Sequence, residues 1–458
     1  MSPDEFRRAG HDVVDWIAEY LEGIREYPVV TSLKPGELVE ALPASAPARG
    51  EPMDRIFTDF REQIVPGVTH WNHPRFHAYF SVSASGPGIL GEMLAAALNV
   101  NGMLWKSCPA ATELEQVTLG WLRQWLGLPG NFFGLIYDTA SVSSFHAIAA
   151  AREAAFPEVR TEGGTGSGVL YTSEQAHSSI EKGAIALGVG QKNVRKIGTD
   201  AEFRMRTDLL EAAIKEDLAQ GRKPFCVVAT IGTTSTTSVD PVPAIADIAG
   251  RYGLWLHVDA AYGGSACVVP EYRHFFAGAE RADSIVMNPH KWLFTPIDIS
   301  VFYTRRPEIL KRAFSLVPEY LKTAEDPRAL NLMDYGVQLG RRFRALKFWF
   351  VLRYFGHEGI SNIIRSHIAL AQEFASWVRA DDRFEIAAPH PMSLVCFRLK
   401  AGDDANRRLM DAVNASGVAF LSHTVLNGKF ALRLAIGNIK TTREDVALTW
   451  RKVQEEAW

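Results

Sequence analysis

Trp255-Leu256-His257-Val258-Asp259-Ala260-Ala261-Tyr262-Gly263-Gly264 is the stretch from which the rest of the chain is placed. A short apolar run stops at a carboxylate, then passes through small residues to a glycine pair, as a strand does when it ends in a turn. The same unit stands on either side of it. Residues 226–231 lead into Gly232-Thr233-Thr234-Ser235, and 284–287 lead into Asn288-Pro289-His290-Lys291. Further apolar runs fall at 135–137, 169–172, 194–197 and 301–304. Helical stretches such as 141–156 and 207–220 separate them, the latter capped by Thr207 and closed by Gly221. Strands alternating with helices specify an α/β fold with a mainly parallel sheet covered by helices.

Both ends of the chain read differently. Ser2 caps a helix with Pro3 at its first position and Glu5 as the capping-box partner. Phe6, Val13, Ile17, Leu21 and Ile24 then form an apolar stripe that ends before Pro28 and needs a burial partner, either this chain or a second copy. Residues 35–52 are rich in Pro, Ala and Gly and read as a connector. Beyond Gly356 a long helical stretch leads to strands at 394–399 and 430–436, a smaller α+β part. The expected division is an N-terminal helical segment (1–85), a large domain (86–358) and a small C-terminal domain (359–458).

Composition excludes several classes. Of 458 residues, 49 are Lys or Arg and 52 are Asp or Glu, a net charge of -3 that leaves no surplus to neutralise a nucleic-acid backbone. Apolar runs such as 348–352 fall far short of the ~20 residues a membrane span requires. Cys108, Cys226, Cys267 and Cys396 show neither metal-ligand spacing nor the density of a disulfide scaffold. They read as reduced thiols, and with an acidic start at Asp4-Glu5 and no targeting segment visible, a cytoplasmic location is expected. No metal site is expected either.

In an open parallel sheet, ligands bind beyond the carboxyl ends of the strands. Collected there are a carboxylate (Asp259), a lysine (Lys291) and, at Asp138-Thr139-Ala140-Ser141, a strand running straight into a helix whose free N–H groups suit a phosphate. These are the needs of pyridoxal 5'-phosphate (PLP). A carboxylate in a dry site keeps the pyridine nitrogen protonated, and a desolvated lysine has the lowered pKa that carbonyl chemistry needs. Singly, each residue has an ordinary explanation: a surface lysine, a turn aspartate, a polar turn at Thr233-Thr234-Ser235, a capping or core histidine at His177. Their agreement at one sheet edge is what favours the cofactor.

Six segments carry a wider resemblance: Gly67-Val68-Thr69-His70-Trp71, Pro109-Ala110-Ala111-Thr112-Glu113-Leu114-Glu115, Gln175-Ala176-His177-Ser178-Ser179, His257-Val258-Asp259-Ala260-Ala261-Tyr262, Asn288-Pro289-His290-Lys291-Trp292 and Gly340-Arg341-Arg342-Phe343-Arg344-Ala345-Leu346-Lys347. With them the chain resembles the aromatic L-amino-acid decarboxylase family, group II PLP decarboxylases of fold type I. The resemblance implies a homodimer with interface active sites and the N-terminal segment packed across it. It also implies Lys291 as the Schiff-base residue, Asp259 on the pyridine nitrogen, and His177 and Ala261 on the two ring faces. Thr234 would lie at the ring edge, Ala140, Ser141 and Asn288 at the phosphate, and His290 beside the lysine. Trp71, Tyr79, Phe80, Val82 and Gly340 would border the substrate. Residues 321–338, flanked by Pro318, read as a mobile lid carrying Tyr335 as proton donor, for which a packing aromatic is the plainer alternative.

The chain also departs from its resemblance. Ala78-Tyr79-Phe80 continues into Ser81-Val82 where Pro-Thr is common, which weakens the case for a catechol substrate. The phosphate segment reads Asp138-Thr139-Ala140-Ser141-Val142 where a Gly and a following Glu are more usual, and Gly340 stands where some relatives carry Ser, a smaller residue that leaves space for an indole. The expected reaction is decarboxylation of tryptophan, phenylalanine or tyrosine to the arylalkylamine. Three alternatives remain open: an aromatic acetaldehyde synthase, a fold-related aminotransferase and a catalytically silent relative.

Overall fold

The apolar runs read from the sequence form one seven-stranded sheet in the computed structural model, which describes residues 1–316 and 329–457. Its strands are β1 (Phe133–Tyr137), β2 (Gly168–Ser173), β3 (Val194–Ile197), β4 (Lys223–Thr230), β5 (Trp255–Asp259), β6 (Ser284–Met287) and β7 (Ser300–Thr304), in the order β1-β7-β6-β5-β4-β2-β3. Strands β2 to β6 pair in parallel, while β7 runs antiparallel to both β6 and β1. The carboxyl ends of β1 and β6 therefore point the same way. Register fixes what meets at that edge: Thr230 lies opposite Asp259, Asp259 opposite Val286, and Tyr137 opposite Ser300. Every residue of β5 is buried, as expected for a central strand covered on both faces.

The chain divides into two compact units, one of Met1–Ser81, Glu373–Ala387 and Cys396–Trp458, the other of Val82–Gln372 and Ala388–Val395. This differs from the three parts expected. The N-terminal segment and most of the C-terminal part share the first unit, and the 358/359 boundary falls inside the long helix Arg344–Ala380, close to its non-helical Gly356 (φ 64). Within the first unit, helix Pro3–Glu22 begins with the expected reciprocal cap of Ser2 and Glu5. Trp16 stacks on Tyr20 (centroids 5.2 Å apart) and meets the edge of Phe60 (5.0 Å), but no residue of this helix is fully buried and Phe6 is 68% exposed. Asp445 ties the two ends of the chain together, 2.8 Å from Arg25 and 3.6 Å from Arg75. The smaller sheet, β8 (Phe384–Ile386), β9 (Leu394–Leu399), β10 (Ser422–Leu426) and β11 (Lys429–Ala435), has the order β10-β11-β9-β8.

In the second unit, helix Ala140–Ala155 follows β1 after two residues. Its buried Ala147, Ala149, Ala150 and Ala151 let it lie close on the sheet with Leu135 and Phe302. Helix Thr207–Ala219 starts one residue earlier than expected: Arg206 holds the cap position and its carbonyl takes the Leu210 N–H (3.0 Å), so Thr207 is already helical. Of the expected lid, residues 321–328 lie outside the described residues, as does Pro318; residues 332–335 form a short 3₁₀ turn.

Two of the resembling segments are joined by a buried ion pair. Glu115 Oε1 accepts the Ile136 N–H (2.8 Å) and an Arg341 N–H (2.9 Å), while Arg341 also donates to the Ile136 carbonyl (2.7 Å). Glu115→Ala strands a nearly buried guanidinium, and a loss of about 3–5 kcal/mol in urea unfolding is expected; a loss within 1 kcal/mol, a small-effect value for an exposed pair, would contradict this. The fold also buries uncharged imidazoles. Desolvation pushes His73 down to about 3 and His77 and His257 down to about 4. The unfolded chain takes up protons on these rings below about pH 6.5 and the folded one does not. Stability is thus expected to hold above that pH and fall as pH drops from there toward 4, a slope that His77→Gln should reduce in unfolding midpoints measured across the range.

Candidate functional site

The site is built outward from the end of β5. Asp259 is 4% exposed, and its Oδ1 accepts the Ala261 N–H (3.0 Å), which fixes the carboxylate and turns the chain away from the sheet. The turn is then locked to its neighbour: Ala260 N–H donates to the Val286 carbonyl (2.9 Å) and Asn288 N–H to the Ala261 carbonyl (3.0 Å). Lys291 N–H closes a turn on the Asn288 carbonyl (3.0 Å), in the single helical turn Pro289–Trp292. The register of two adjacent strands thus brings Asp259, Ala261, Asn288 and Lys291 together. Glycine makes the neighbouring approach possible: a Cβ on Gly263 would stand 2.5 Å from the Ile231 carbonyl oxygen, so only hydrogen fits between the β4 and β5 turns there.

His177 caps helix Ser178–Ala186, its Nδ1 accepting the Ser179 N–H (3.2 Å) and lying 2.8 Å from Ser179 Oγ. The capping role weighed from sequence is therefore real, and it leaves the proton on Nε2. The imidazole pKa is lowered by desolvation and by the Lys291 cation and raised by the Asp259 carboxylate, which places all three groups in one electrostatic neighbourhood. His290 is 5% exposed, and its Nδ1 accepts the Ile299 N–H (3.0 Å); desolvation and then Lys291 push it down to about 4, so it stands beside the lysine uncharged.

The turn after β4 satisfies itself. Gly232 and Thr233 both donate to the Ser238 carbonyl, and buried hydroxyls of Thr233, Thr236 and Ser238 run in a chain (3.0 and 2.8 Å) to the Glu202 carbonyl. Thr234 is left at the exposed tip of that turn. On the other side of the site, Thr139 occupies the cap position of helix Ala140–Ala155 without a side-chain cap, so the amides of Ala140 and Ser141 begin a helix of positive polarity. Asn288, 2% exposed, has a side-chain oxygen with no hydrogen-bond partner among the described residues. An uncapped helix start, an orphaned buried amide and a dry carboxylate near a lysine are a donor and acceptor set that fits PLP.

Tyr335 lies against β1. Its ring lies 5.0 Å from that of Phe133, at the opposite end of β1, and packs on the core there; its carbonyl accepts the Tyr137 hydroxyl (2.5 Å). Burial raises its pKa, ahead of smaller effects from Lys311 and Asp334. Within one chain the ring is a packing aromatic, and a proton-donor role for Tyr335 is a question for substitution and assay. The expected substrate residues divide between the units. Trp71, Tyr79 and Phe80 belong to the first, where Trp71 stacks on Phe76 (4.3 Å) and Tyr79, 52% exposed with φ 53, is held by Ser422 (3.0 Å). Val82 and Gly340 belong to the second, and a Cβ on Gly340 would meet only Asn101 Nδ2, at 3.7 Å. Sequence reasoning missed Tyr137 and His146, which hold the chain around Tyr335; an aromatic at a strand end and a histidine inside an alanine-rich helix give no signal until the fold pairs them.

The comparisons with known proteins agree with this chemistry. Residues 35–400 match the pyridoxal-dependent decarboxylase conserved domain. A Catharanthus roseus aromatic-L-amino-acid decarboxylase is 40% identical over 99% of this chain and 94% of its own length, and a phenylacetaldehyde synthase of a Rosa hybrid cultivar is 40% identical over 100% and 94%. The crystal structure of Oryza sativa TDC with PLP and tryptamine superposes with a TM-score of 0.97 at 38% identity, covering 100% of this chain and 98% of that one. The chain, with its strand-end lysine and buried carboxylate, belongs to the pyridoxal-dependent decarboxylase family.

Proposed function

We propose that this enzyme removes the α-carboxylate of an aromatic L-amino acid, tryptophan, phenylalanine or tyrosine, and releases the arylalkylamine. The observation that carries the reading is the convergence of Lys291, Asp259 and His177 at the carboxyl edge of one sheet, in a chain of this family. Bound PLP supplies an electron sink for the pair left behind when carbon dioxide departs. The protein's part is to hold and orient. The Lys291 amine would hold the cofactor at its aldehyde carbon. The Asp259 carboxylate, fixed by the Ala261 amide, keeps a proton on the pyridine nitrogen. His177, held by its cap to Ser179, would cover one ring face and Ala261 the other. The amides of Ala140 and Ser141, with Asn288, would hold the phosphate and Thr234 would lie at the ring edge, while His290 supports Lys291 without adding charge.

Aromatic specificity is supported by the relatives' own names and by Gly340, which leaves room for a ring system. A homodimer is supported by the exposed apolar residues of helix Pro3–Glu22, for which a second copy is the simplest cover. A cytoplasmic location is supported by four free thiols, three of them buried.

The test is an assay of the PLP-loaded protein with each of the three acids, measuring carbon dioxide, amine, aldehyde and peroxide. Equal amounts of carbon dioxide and amine are expected; consumption of oxygen with release of aldehyde, ammonia and peroxide would overturn the reading in favour of an aldehyde synthase. Lys291→Ala should abolish turnover, and Asp259→Asn should lower kcat by about 10²–10³-fold, as losing one preorganised electrostatic partner does. Tyr335→Phe should leave the product an amine. A switch to aldehyde in that variant would return the proton-donor role to Tyr335; Tyr320, the other tyrosine between 310 and 340, lies outside the described residues and is the parallel substitution to make.

A further inference from the structure

The stretch that follows the turn Leu332–Tyr335 runs toward Gly340 with little cover, Val337 being 64% exposed. Its backbone is nonetheless held by two buried rings that no step above uses. Tyr137, the last residue of β1, donates its hydroxyl to the Tyr335 carbonyl (2.5 Å). His146, in helix Ala140–Ala155, accepts the Val337 N–H at Nε2 (3.0 Å). That bond needs a lone pair on Nε2, so Nδ1 carries the ring proton and donates it to the Val142 carbonyl (2.7 Å). The two rings stack with centroids 4.2 Å apart and planes 8° from parallel. Burial pushes the imidazole down to about 4, which keeps the acceptor available.

Gly336 lies between the two anchored peptides. A Cβ there would stand 3.0 Å from His146 Nε2 and 3.2 Å from Tyr137 Cε1, so the absent side chain lets the backbone lie flat against the ring pair. A weaker tie continues the pattern, Gln338 Nε2 donating to Asp138 Oδ2 at 3.4 Å while the other carboxylate oxygen takes the Thr139 N–H (2.5 Å). Tyr137, Asp138 and His146 thus bind the 335–338 stretch to the strand end and helix that carry Ala140 and Ser141.

We propose that Tyr137 and His146 are positioning residues that fix residues 335–340, and Gly340 with them, for substrate fit. The functional half rests on the reading of Gly340 as bordering the substrate; the structural half stands without it.

The test uses the full-length, PLP-loaded enzyme and three variants: His146→Leu, which removes the acceptor, His146→Gln, whose Oε1 reaches the position of Nε2, and Tyr137→Phe, which removes one hydroxyl and keeps the stack. Hydrogen–deuterium exchange of peptides covering 336–341 should quicken by about tenfold or more in His146→Leu, as loss of a buried neutral hydrogen bond allows, and return toward wild type in His146→Gln. KM for the best aromatic acid should rise several-fold in His146→Leu with a smaller change in kcat. Unchanged exchange across 336–341, or a Gln variant no better than Leu, would overturn the positioning role. Faster exchange with KM unmoved would overturn the substrate-fit half alone. Should His146→Leu fail to fold, Tyr137→Phe carries the same exchange and KM measurements. A protein that turns over no aromatic acid would refute the proposed reaction and leave the exchange result to decide the anchoring.

Discussion

Everything at the site depends on the register of β5 against β6. Asp259 opposite Val286, and the two amide bonds that follow from Ala260 to Val286 and from Asn288 to Ala261, put a buried carboxylate and a lysine side by side from segments distant in sequence. Side chains alternate along a strand, so a slip of one residue would turn Asp259 to the other face of the sheet and leave Lys291 without its counterpart. The pairing is protected by burial. Ile285, Val286 and Val258 show no exposed surface, and a shifted register would exchange these side chains between two faces that are both already packed.

Around that pairing the protein controls charge by removing water. Imidazoles at 257 and 290 are stripped of solvent and stay neutral, the first held by Ser284 (2.9 Å) and the second by the Ile299 amide. Asp259 and Lys291 are thereby the ionisable groups that set the field on His177 from nearby, with Lys182 a smaller contributor. Such an arrangement stabilises charge where it develops, because its dipoles are held in place by the sheet before any substrate arrives.

The parts of this that were legible in the sequence are those fixed by local rules. The strand ends at Asp259 and Asn288 follow from apolar runs meeting turn residues, the cap at Ser2 from a reciprocal pair three residues apart, and the sheet from alternation of period. The packing of Tyr335 shows what such reading leaves out. A tyrosine in a polar stretch near a glycine gives no hint of the ring it will rest on, and Phe133, which holds it, is 202 residues earlier by number (335 − 133). The grouping of the chain into these two units is not legible for a similar reason: Asp445 joins Arg25 and Arg75 through contacts that no local pattern announces. His146 is legible only once β1, its helix and the 335–338 stretch are assembled, since its meaning lies in two backbone groups it happens to reach.

The composite first unit has a consequence for how the polypeptide is made. Its opening 81 residues cannot complete their contacts until residues 396 onward have left the ribosome, because Val29 takes its backbone partner from Gly417 and Arg25 its carboxylate from Asp445. Meanwhile the second unit, nearly all of it one continuous stretch, emerges and can fold. Docking of the opening segment onto residues 396 onward is therefore a late event, one that follows synthesis of nearly the whole second unit.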